Sequence, residues 1–122
     1  MTEIIQKVTK NLRKNRMMAD YVATKEEALA LVKQLIPVGA TVATGGSRTL
    51  DETGISALLR NGDYVFFDRN NPELTAEEKA SMTAKGATAD VYLCSTNALT
   101  ESGELYNVDG FSNRVAAIAN GP

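Results

Sequence analysis

Three short blocks of the chain carry the side chains that could do chemistry. In the first, Gly45 and Gly46 precede Ser47 and Thr49 where a predicted strand meets a predicted helix. Glycines let a backbone approach a ligand closely, and free N–H groups and hydroxyl donors at a helix start favour an anion. The same residues also suit a plain tight turn with an ordinary cap. Neither the Rossmann fingerprint nor the P-loop pattern is present.

The second block, residues 96–104, combines amide, hydroxyl and carboxylate groups after another predicted strand. Thr96 and Asn97 supply hydrogen-bonding groups at the end of that strand. Glu101 and Glu104 flank Gly103, and either carboxylate could act as a catalytic base or nucleophile. The alternative is a solvated turn with two surface glutamates, which the spacing alone favours.

The third block, residues 107–114, places opposite charges around a turn. Asp109 starts an Asp-Gly turn, and Arg114 follows near the start of the last predicted helix. Arg114 could bind a carboxylate or phosphate with both arms of its guanidinium. A structural pair between Asp109 and Arg114 that braces the loop fits the same spacing. Asn113 or Ser112 could bind a ligand or simply cap the helix.

The composition excludes several kinds of chemistry. The chain has 122 residues, a formal net charge of -2 and no histidine, so His-based triads and His-ligated metals are excluded. Its single cysteine, Cys94, cannot form an intramolecular disulfide or a CxxC metal or iron–sulfur site. We therefore expect this chain to hold no metal and no cofactor. If it takes part in an oxidation, the electrons must pass to a partner's cofactor.

The same numbers bear on location and partners. A lone cysteine is typical of a reducing cytosol, and no signal sequence is visible over residues 1–10, so we expect a cytoplasmic protein. No apolar run is long enough to span a bilayer, which predicts no membrane insertion. The isoelectric point of about 5.1 gives no broad basic footprint for nucleic acid.

Hydrophobic periodicity predicts alternating helices and strands in a single domain over residues 1–122, with helices and a short strand over 1–36 and a core over 40–122. Strands separated by such helices are typical of βαβ units, so the predicted fold class is α/β, with a mainly parallel sheet flanked by helices. The predicted helices span 2–16, 24–36, 50–60, 72–85 and 113–119, and the predicted strands 18–23, 40–44, 64–67, 90–94 and 105–108.

A parallel sheet also predicts where a ligand binds. In open α/β sheets, ligands lie beyond the carboxyl ends of the strands. Two polar loops, 44–49 and 95–104, leave such ends. We expect these loops to converge at one edge of the sheet.

Taken together, the blocks resemble a known family. The run Gly-Gly-Ser-x-Thr-Leu at 45–50, the run Thr-Asn-Ala-Leu-Thr-Glu-x-Gly-Glu-Leu at 96–105 and Asn-Arg-Val-Ala-Ala at 113–117 are similar to the LUD (lactate utilisation) domain family. The resemblance implies a fold like that of ribose phosphate isomerase and the CoA-transferase-like proteins. It also implies a link to bacterial lactate oxidation beside iron–sulfur partner subunits. The matching positions are Gly45, Gly46, Ser47, Thr49, Thr96, Asn97, Glu101, Asp109, Asn113 and Arg114.

The chain departs from the family pattern in two places. Ser112 stands where the family usually has glycine, and serine tolerates a positive φ less well. Family members usually continue past Pro122 with a further strand, turn and helix. We therefore expect a domain shorter than usual at its C-terminus, with a sheet edge or apolar face that a homodimer or another chain would cover.

Three functional hypotheses follow from the residues and the resemblance. The first is an accessory subunit of bacterial lactate (organic acid) utilisation that binds a small anion of carboxylate, phosphate or acyl-CoA type. The second is an isomerase- or transferase-like enzyme in which Glu101 or Glu104 acts as base or nucleophile. The third is a non-catalytic interaction module.

Overall fold

The N-terminal part of the chain forms two helices with threonine caps. The computed structural model describes residues 2–122. Helix α1 (Glu3–Lys14) is followed by α2 (Lys25–Leu35). Thr24 and Glu27, three residues apart, predict a capping box at the start of α2, and the structure has it: the Thr24 hydroxyl accepts from the Glu27 N–H at 3.2 Å, and the Glu27 carboxylate accepts from the Ala23 N–H at 2.9 Å. This cap depends only on neighbouring residues, so the sequence predicts it well.

The strand predicted over residues 18–23 does not form. The segment between α1 and α2 is irregular. Its Ala19 carbonyl accepts from the Arg13 guanidinium at 2.7 and 3.0 Å, which holds the segment against α1. A strand needs a neighbour to pair with, and this placement gives it none.

The helix predicted over 50–60 is interrupted. Helix α3 (Arg48–Glu52) ends before Gly54, and α4 (Ile55–Asn61) begins after it. Gly54 has a φ of 81°, a left-handed conformation that breaks the helix and that glycine adopts without strain. Helix α5 (Ala76–Gly86) starts after Thr75 rather than at the predicted Pro72, because the Thr75 hydroxyl caps the Glu78 N–H at 3.1 Å.

A parallel sheet of three strands forms the centre of the fold. Strand β1 (Thr41–Thr44) lies between β2 (Val65–Phe66) and β3 (Val91–Leu93), and both neighbours run parallel to it. In register, Val42 lies opposite Phe66 on one side and Val91 on the other. The predicted α/β class with a parallel sheet and flanking helices is confirmed. The buried hydrophobic cluster comprises Ile36, Ala40, Val42, Leu50, Ile55 and Leu59.

A small hairpin packs against α1, apart from the parallel sheet. Strands β4 (Ala98–Leu99) and β5 (Leu105–Tyr106) are antiparallel, within a stretch predicted to be a loop up to residue 104. Asn11 donates to the Glu101 carbonyl at 2.8 Å. Gly103 has a φ of 82°, and a Cβ there would lie 2.6 Å from the Asn11 carbonyl carbon. The glycine therefore allows the hairpin turn to touch the α1 backbone.

The last helix, α6 (Asn113–Asn120), begins from a strained residue. Ser112 has a φ of 60°, and its side chain makes no capping hydrogen bond. This is the position where the resemblance described above implies glycine. The serine thus occupies a left-handed conformation that costs an ordinary residue about 1–2 kcal/mol.

Candidate functional site

Residues on or just after the three parallel strands line one polar cavity at the carboxyl ends of the strands. Gly45 and Gly46 follow β1, Arg69 follows β2, and Tyr92 belongs to β3. The cavity has a volume of about 140 Å³. Its other lining residues come from the start of α6 and the turn before it: Asp109, Gly110, Phe111, Asn113 and Arg114.

A second cavity, of about 250 Å³, adjoins the first. The two share Arg69, Tyr92 and Asn113 in their walls. The remaining wall of the larger cavity consists mostly of small and apolar residues from β1, α5, α6 and the loop after β2, among them Ala43, Phe67, Met82, Gly86 and Ala117. We call the smaller space the polar cavity and the larger one the apolar chamber.

Arg69 is the cation at this site that has no carboxylate partner within residues 2–122. Its side chain is half-buried. The adjacent carboxylate of Asp68 is already held by Arg60 at 2.8 Å. A Cβ on Gly46 would lie 3.7 Å from an Arg69 guanidinium nitrogen, so the glycine turn and this arginine face each other. A half-buried guanidinium with free donors favours an anion.

Tyr92 adds a second unpaired group. Its hydroxyl oxygen is buried and has no hydrogen-bond partner within the described residues. A Cβ on Gly45 would lie 3.2 Å from that oxygen, so the glycine leaves room for the tyrosine ring. Burial raises the pKa of Tyr92, and the nearby Arg69 charge partly opposes this. The hydroxyl is therefore neutral at ordinary pH and can donate to a ligand.

Arg114 and Asp109 form a pair, as one of the two sequence interpretations expected. The Arg114 guanidinium donates to Asp109 Oδ1 at 2.9 Å and to the Ser95 and Val108 carbonyls at 2.9 and 3.1 Å. It also donates to the side-chain oxygen of Asn97. The two charged side chains are only 12% and 14% exposed. Arg114 thus joins the segment after β3 to the start of α6, and most of its donors are used within the protein.

Asp109 also caps α6. Its Oδ2 accepts from the Val115 N–H at 2.7 Å. Desolvation acts to raise the pKa of Asp109, but the hydrogen bonds from the Val115 backbone and the Arg114 side chain together outweigh it, so the pKa lies below its usual value. The carboxylate faces the polar cavity with both oxygens already engaged.

Four other predicted binding residues line neither cavity, and the side chains of three of them support the backbone instead. The Ser47 hydroxyl caps the short helix α3 by accepting from the Leu50 N–H at 3.3 Å. Thr49 is exposed. The Thr96 hydroxyl lies 3.2 Å from the Ala98 and Tyr106 carbonyls, and Asn97 accepts from the Val108 N–H at 2.9 Å. These contacts hold the hairpin and the turn in place.

The two glutamates proposed for catalysis are not brought to the sheet edge. Glu101 and Glu104 are exposed in the hairpin turn beside α1, and neither lines the polar cavity or the apolar chamber. The Glu104 carboxylate accepts from the Thr100 hydroxyl at 3.2 Å, which closes the turn. Among the predicted residues, the structure brings together Gly45, Gly46, Asp109, Asn113 and Arg114.

The binding residues predicted from the sequence include neither Arg69 nor Tyr92. The signal for Arg69 was present, because it follows the predicted strand 64–67 by two residues. The rule that ligands lie beyond the carboxyl ends of strands applies to β2 as well as to its neighbours. The predicted binding loops were chosen because they are rich in glycine and hydroxyl groups. The loop after β2, which contains Arg69, is instead rich in charged residues.

Two further features bear on the chemistry available. Burial raises the pKa of the Cys94 thiol, so it is not an activated nucleophile. Within residues 2–122, no group of three or more acidic or cysteine side chains is placed to hold a metal ion.

In the same part of the chain, no helix has the length and apolar character to cross a membrane.

The fold and the geometry of the site define the class of protein: an α/β domain with a ligand-sized site at the carboxyl edge of its parallel sheet. Within that class, the family model of the LUD domain matches residues 5–122, and the chain therefore belongs to the LUD domain family. Comparison with curated proteins and with solved structures finds no match.

Proposed function

We propose that this LUD domain binds a small organic anion in the polar cavity and acts as an accessory subunit in bacterial lactate utilisation. The association of the family with lactate utilisation supports the pathway. The observation that carries the binding proposal is that one cavity holds two groups available to a ligand. They are the Arg69 guanidinium, which has no carboxylate partner within residues 2–122, and the Tyr92 hydroxyl, whose buried oxygen has no hydrogen-bond partner there.

The size of the polar cavity suits a compact acid. A cavity of roughly 150 Å³ holds a benzene molecule, which has as many non-hydrogen atoms as lactate. The polar cavity measures about 140 Å³. A carboxylate there would accept from Arg69 and Tyr92, and the Asn113 side chain lines the same wall for a second polar group of the ligand.

The chain itself offers no group to take electrons from such an acid. Hydride and electron transfer require cofactors, and the residues around the cavity are arginine, tyrosine, asparagine, aspartate, phenylalanine and glycine. If the bound acid is lactate, the electrons pass to a cofactor on another subunit. Iron–sulfur oxidoreductase subunits are the partners that the family resemblance implies.

Isothermal titration with L-lactate, pyruvate and phosphate tests the binding proposal. We expect one of the carboxylates to bind, and Arg69→Gln to weaken it about 10- to 100-fold, since a charge-assisted hydrogen bond contributes about 1.5–3 kcal/mol. Arg48→Gln is the matched control, because Arg48 is exposed and lines neither cavity. The proposal fails if none of the three ligands binds, or if Arg69→Gln and Arg48→Gln bind equally well.

A non-catalytic interaction module is the second candidate, and exposed apolar side chains around α6 favour it. Phe111, at the rim of the polar cavity, is 91% exposed, Val108 is 62% exposed and Ile118 on α6 is 48% exposed. Such a patch is typical of a surface that contacts another protein. Sedimentation velocity of the wild type and of Phe111→Asp tests whether a homodimer uses this surface. A monomer in both would count against that dimer.

A further inference from the structure

The apolar chamber beside the polar cavity has the wrong chemistry for a second anion. Arg69 is the one charged residue in its wall, and that residue is shared with the polar cavity. Most of the rest of the wall consists of alanine, glycine, methionine and phenylalanine. Contact between such a wall and a hydrocarbon group lowers the free energy, because it removes apolar surface from water.

The chamber also exceeds the size that lactate needs. It measures about 250 Å³, beyond the 140 Å³ of the polar cavity. On the scale where roughly 150 Å³ accommodates six carbon atoms, the chamber has space for a side chain several carbons longer than a methyl group. A ligand as small as lactate would leave it empty or filled with poorly bound water.

The three shared wall residues define how one ligand could occupy both spaces. Arg69, Tyr92 and Asn113 carry the polar groups, and they stand at the boundary between the cavities. A carboxylate anchored on Arg69 and Tyr92 places the rest of the molecule next to Met82 and Ala117 of the chamber. Polar recognition at one end and hydrocarbon burial at the other is the usual division of a small-molecule site.

We infer that the preferred ligand is a carboxylate with an apolar side chain several carbons long, rather than lactate itself. This inference rests on the proposed anion site and specifies its substrate class. The polar cavity selects the carboxylate, and the chamber selects the length of the side chain.

A homologous series of 2-hydroxy acids tests the inference by isothermal titration of the 122-residue chain. The probes are L-lactate, 2-hydroxybutyrate, 2-hydroxyvalerate, 2-hydroxyhexanoate and 3-phenyllactate. We expect the affinity to rise about threefold to fourfold with each buried methylene until the chamber is full. Equal or falling affinity beyond lactate would overturn the inference and leave the anion site standing. Absence of binding by every acid would overturn both.

A chamber-filling variant separates hydrocarbon burial from a general effect of chain length. Ala116 of α6 lines the chamber, and Ala84 of α5 does not. Both are exposed helix residues, so Ala116→Leu and Ala84→Leu are matched. We expect Ala116→Leu to abolish the gain with side-chain length while lactate binding stays within about twofold of the wild type. Ala84→Leu should keep the wild-type trend. If Ala116→Leu also keeps that trend, the apolar side chain of the bound acid lies outside the chamber and the inference is wrong.

Discussion

Arg69 and Arg114 lie at the same edge of the sheet, but their guanidinium groups have different surroundings. Arg114 donates to the Asp109 and Asn97 side chains and to two carbonyls. Arg69 has no carboxylate partner within residues 2–122. A saturated arginine fixes the loops around a site, and an unsaturated one is available to a ligand. We therefore assign structural support to Arg114 and ligand binding to Arg69.

Tyr92 gives a residue-scale prediction in which stability and binding move in opposite directions. Its buried hydroxyl has no hydrogen-bond partner among residues 2–122, and an unsatisfied buried polar group costs about 1–3 kcal/mol. We expect Tyr92→Phe to raise the free energy of unfolding of the ligand-free protein by about 1 kcal/mol and to weaken the anion. Urea denaturation and titration calorimetry on the same sample measure both effects.

Tyr106→Phe is the control for Tyr92, because Tyr106 is 61% exposed and lines neither cavity. It should change neither quantity beyond about 0.5 kcal/mol. A Tyr92→Phe variant that is less stable than the wild type would show that the hydroxyl has a partner, and would remove it from the proposed site.

At this scale the sequence predicts residue types better than roles. The spacing of Asp109 and Arg114 allowed a structural pair or a shared ligand, and the pair that formed depends on carbonyls of Ser95 and Val108. Those carbonyls reach the guanidinium only after the sheet and α6 have formed. The role of Arg69 depends in the same way on the tertiary structure. Its guanidinium lies near Gly46 at the sheet edge only because β2 ends beside β1.

Helix α6 gives an element-scale prediction, because it begins at a residue with positive φ. Ser112 has a φ of 60°, and its own side chain makes no capping hydrogen bond. A glycine at position 112 relieves the steric strain of the folded state. Part of this stabilisation is offset, because glycine also has greater conformational freedom in the unfolded chain. We expect Ser112→Gly to raise the free energy of unfolding by about 0.5–1 kcal/mol, measured by urea denaturation.

Ser102→Gly is the matched control for Ser112→Gly. Ser102 is an exposed turn residue, and it is not among the residues with positive φ. Glycine there adds freedom to the unfolded chain without relieving strain, so stability should fall by about 0.5 kcal/mol. Equal effects of the two substitutions would contradict the strain at Ser112.

Elements set by local contacts were predicted well, and elements set by distant partners were not. The Thr24 cap of α2 involves residues within four positions of one another. Strand β5 lies within the strand predicted over 105–108, but β4 was missed because it has only two residues, both exposed, in a stretch that is otherwise polar. The position of the hairpin is fixed by Asn11 of α1. The strand predicted over 18–23 has the right composition but no partner strand.

At the scale of the whole molecule, the chain forms two assemblies, the parallel sheet with its helices and the hairpin with α1, which are joined where Arg114 donates to the Asn97 side chain. The parallel sheet contains the buried cluster around Val42 and Leu59, while α1 has no buried residue and contacts the hairpin. The proposed site belongs to the sheet assembly alone. Carboxylates tie the ends of that assembly together: Asp90 accepts from the Thr41 N–H at 3.0 Å, and Asp109 caps α6.

These two carboxylates predict an acid-sensitive fold. The backbone hydrogen bond from Thr41 and then its hydroxyl lower the pKa of Asp90 below 3.8, and the pKa of Asp109 is also lowered. A group whose folded pKa is depressed stabilises the protein above its unfolded pKa, and that stability is lost as pH falls through the folded pKa. We expect stability to be level above about pH 5 and to fall progressively below about pH 4.

The double variant Asp90→Asn, Asp109→Asn tests this acid sensitivity by thermal unfolding between about pH 7 and pH 2.5. It should be less stable than the wild type at pH 7, and the difference should shrink as the pH falls, because protonated carboxyls lose the same interactions. A difference that is constant across the range would show that the two carboxylates contribute through packing rather than charge. It would then place the origin of acid unfolding elsewhere in the chain.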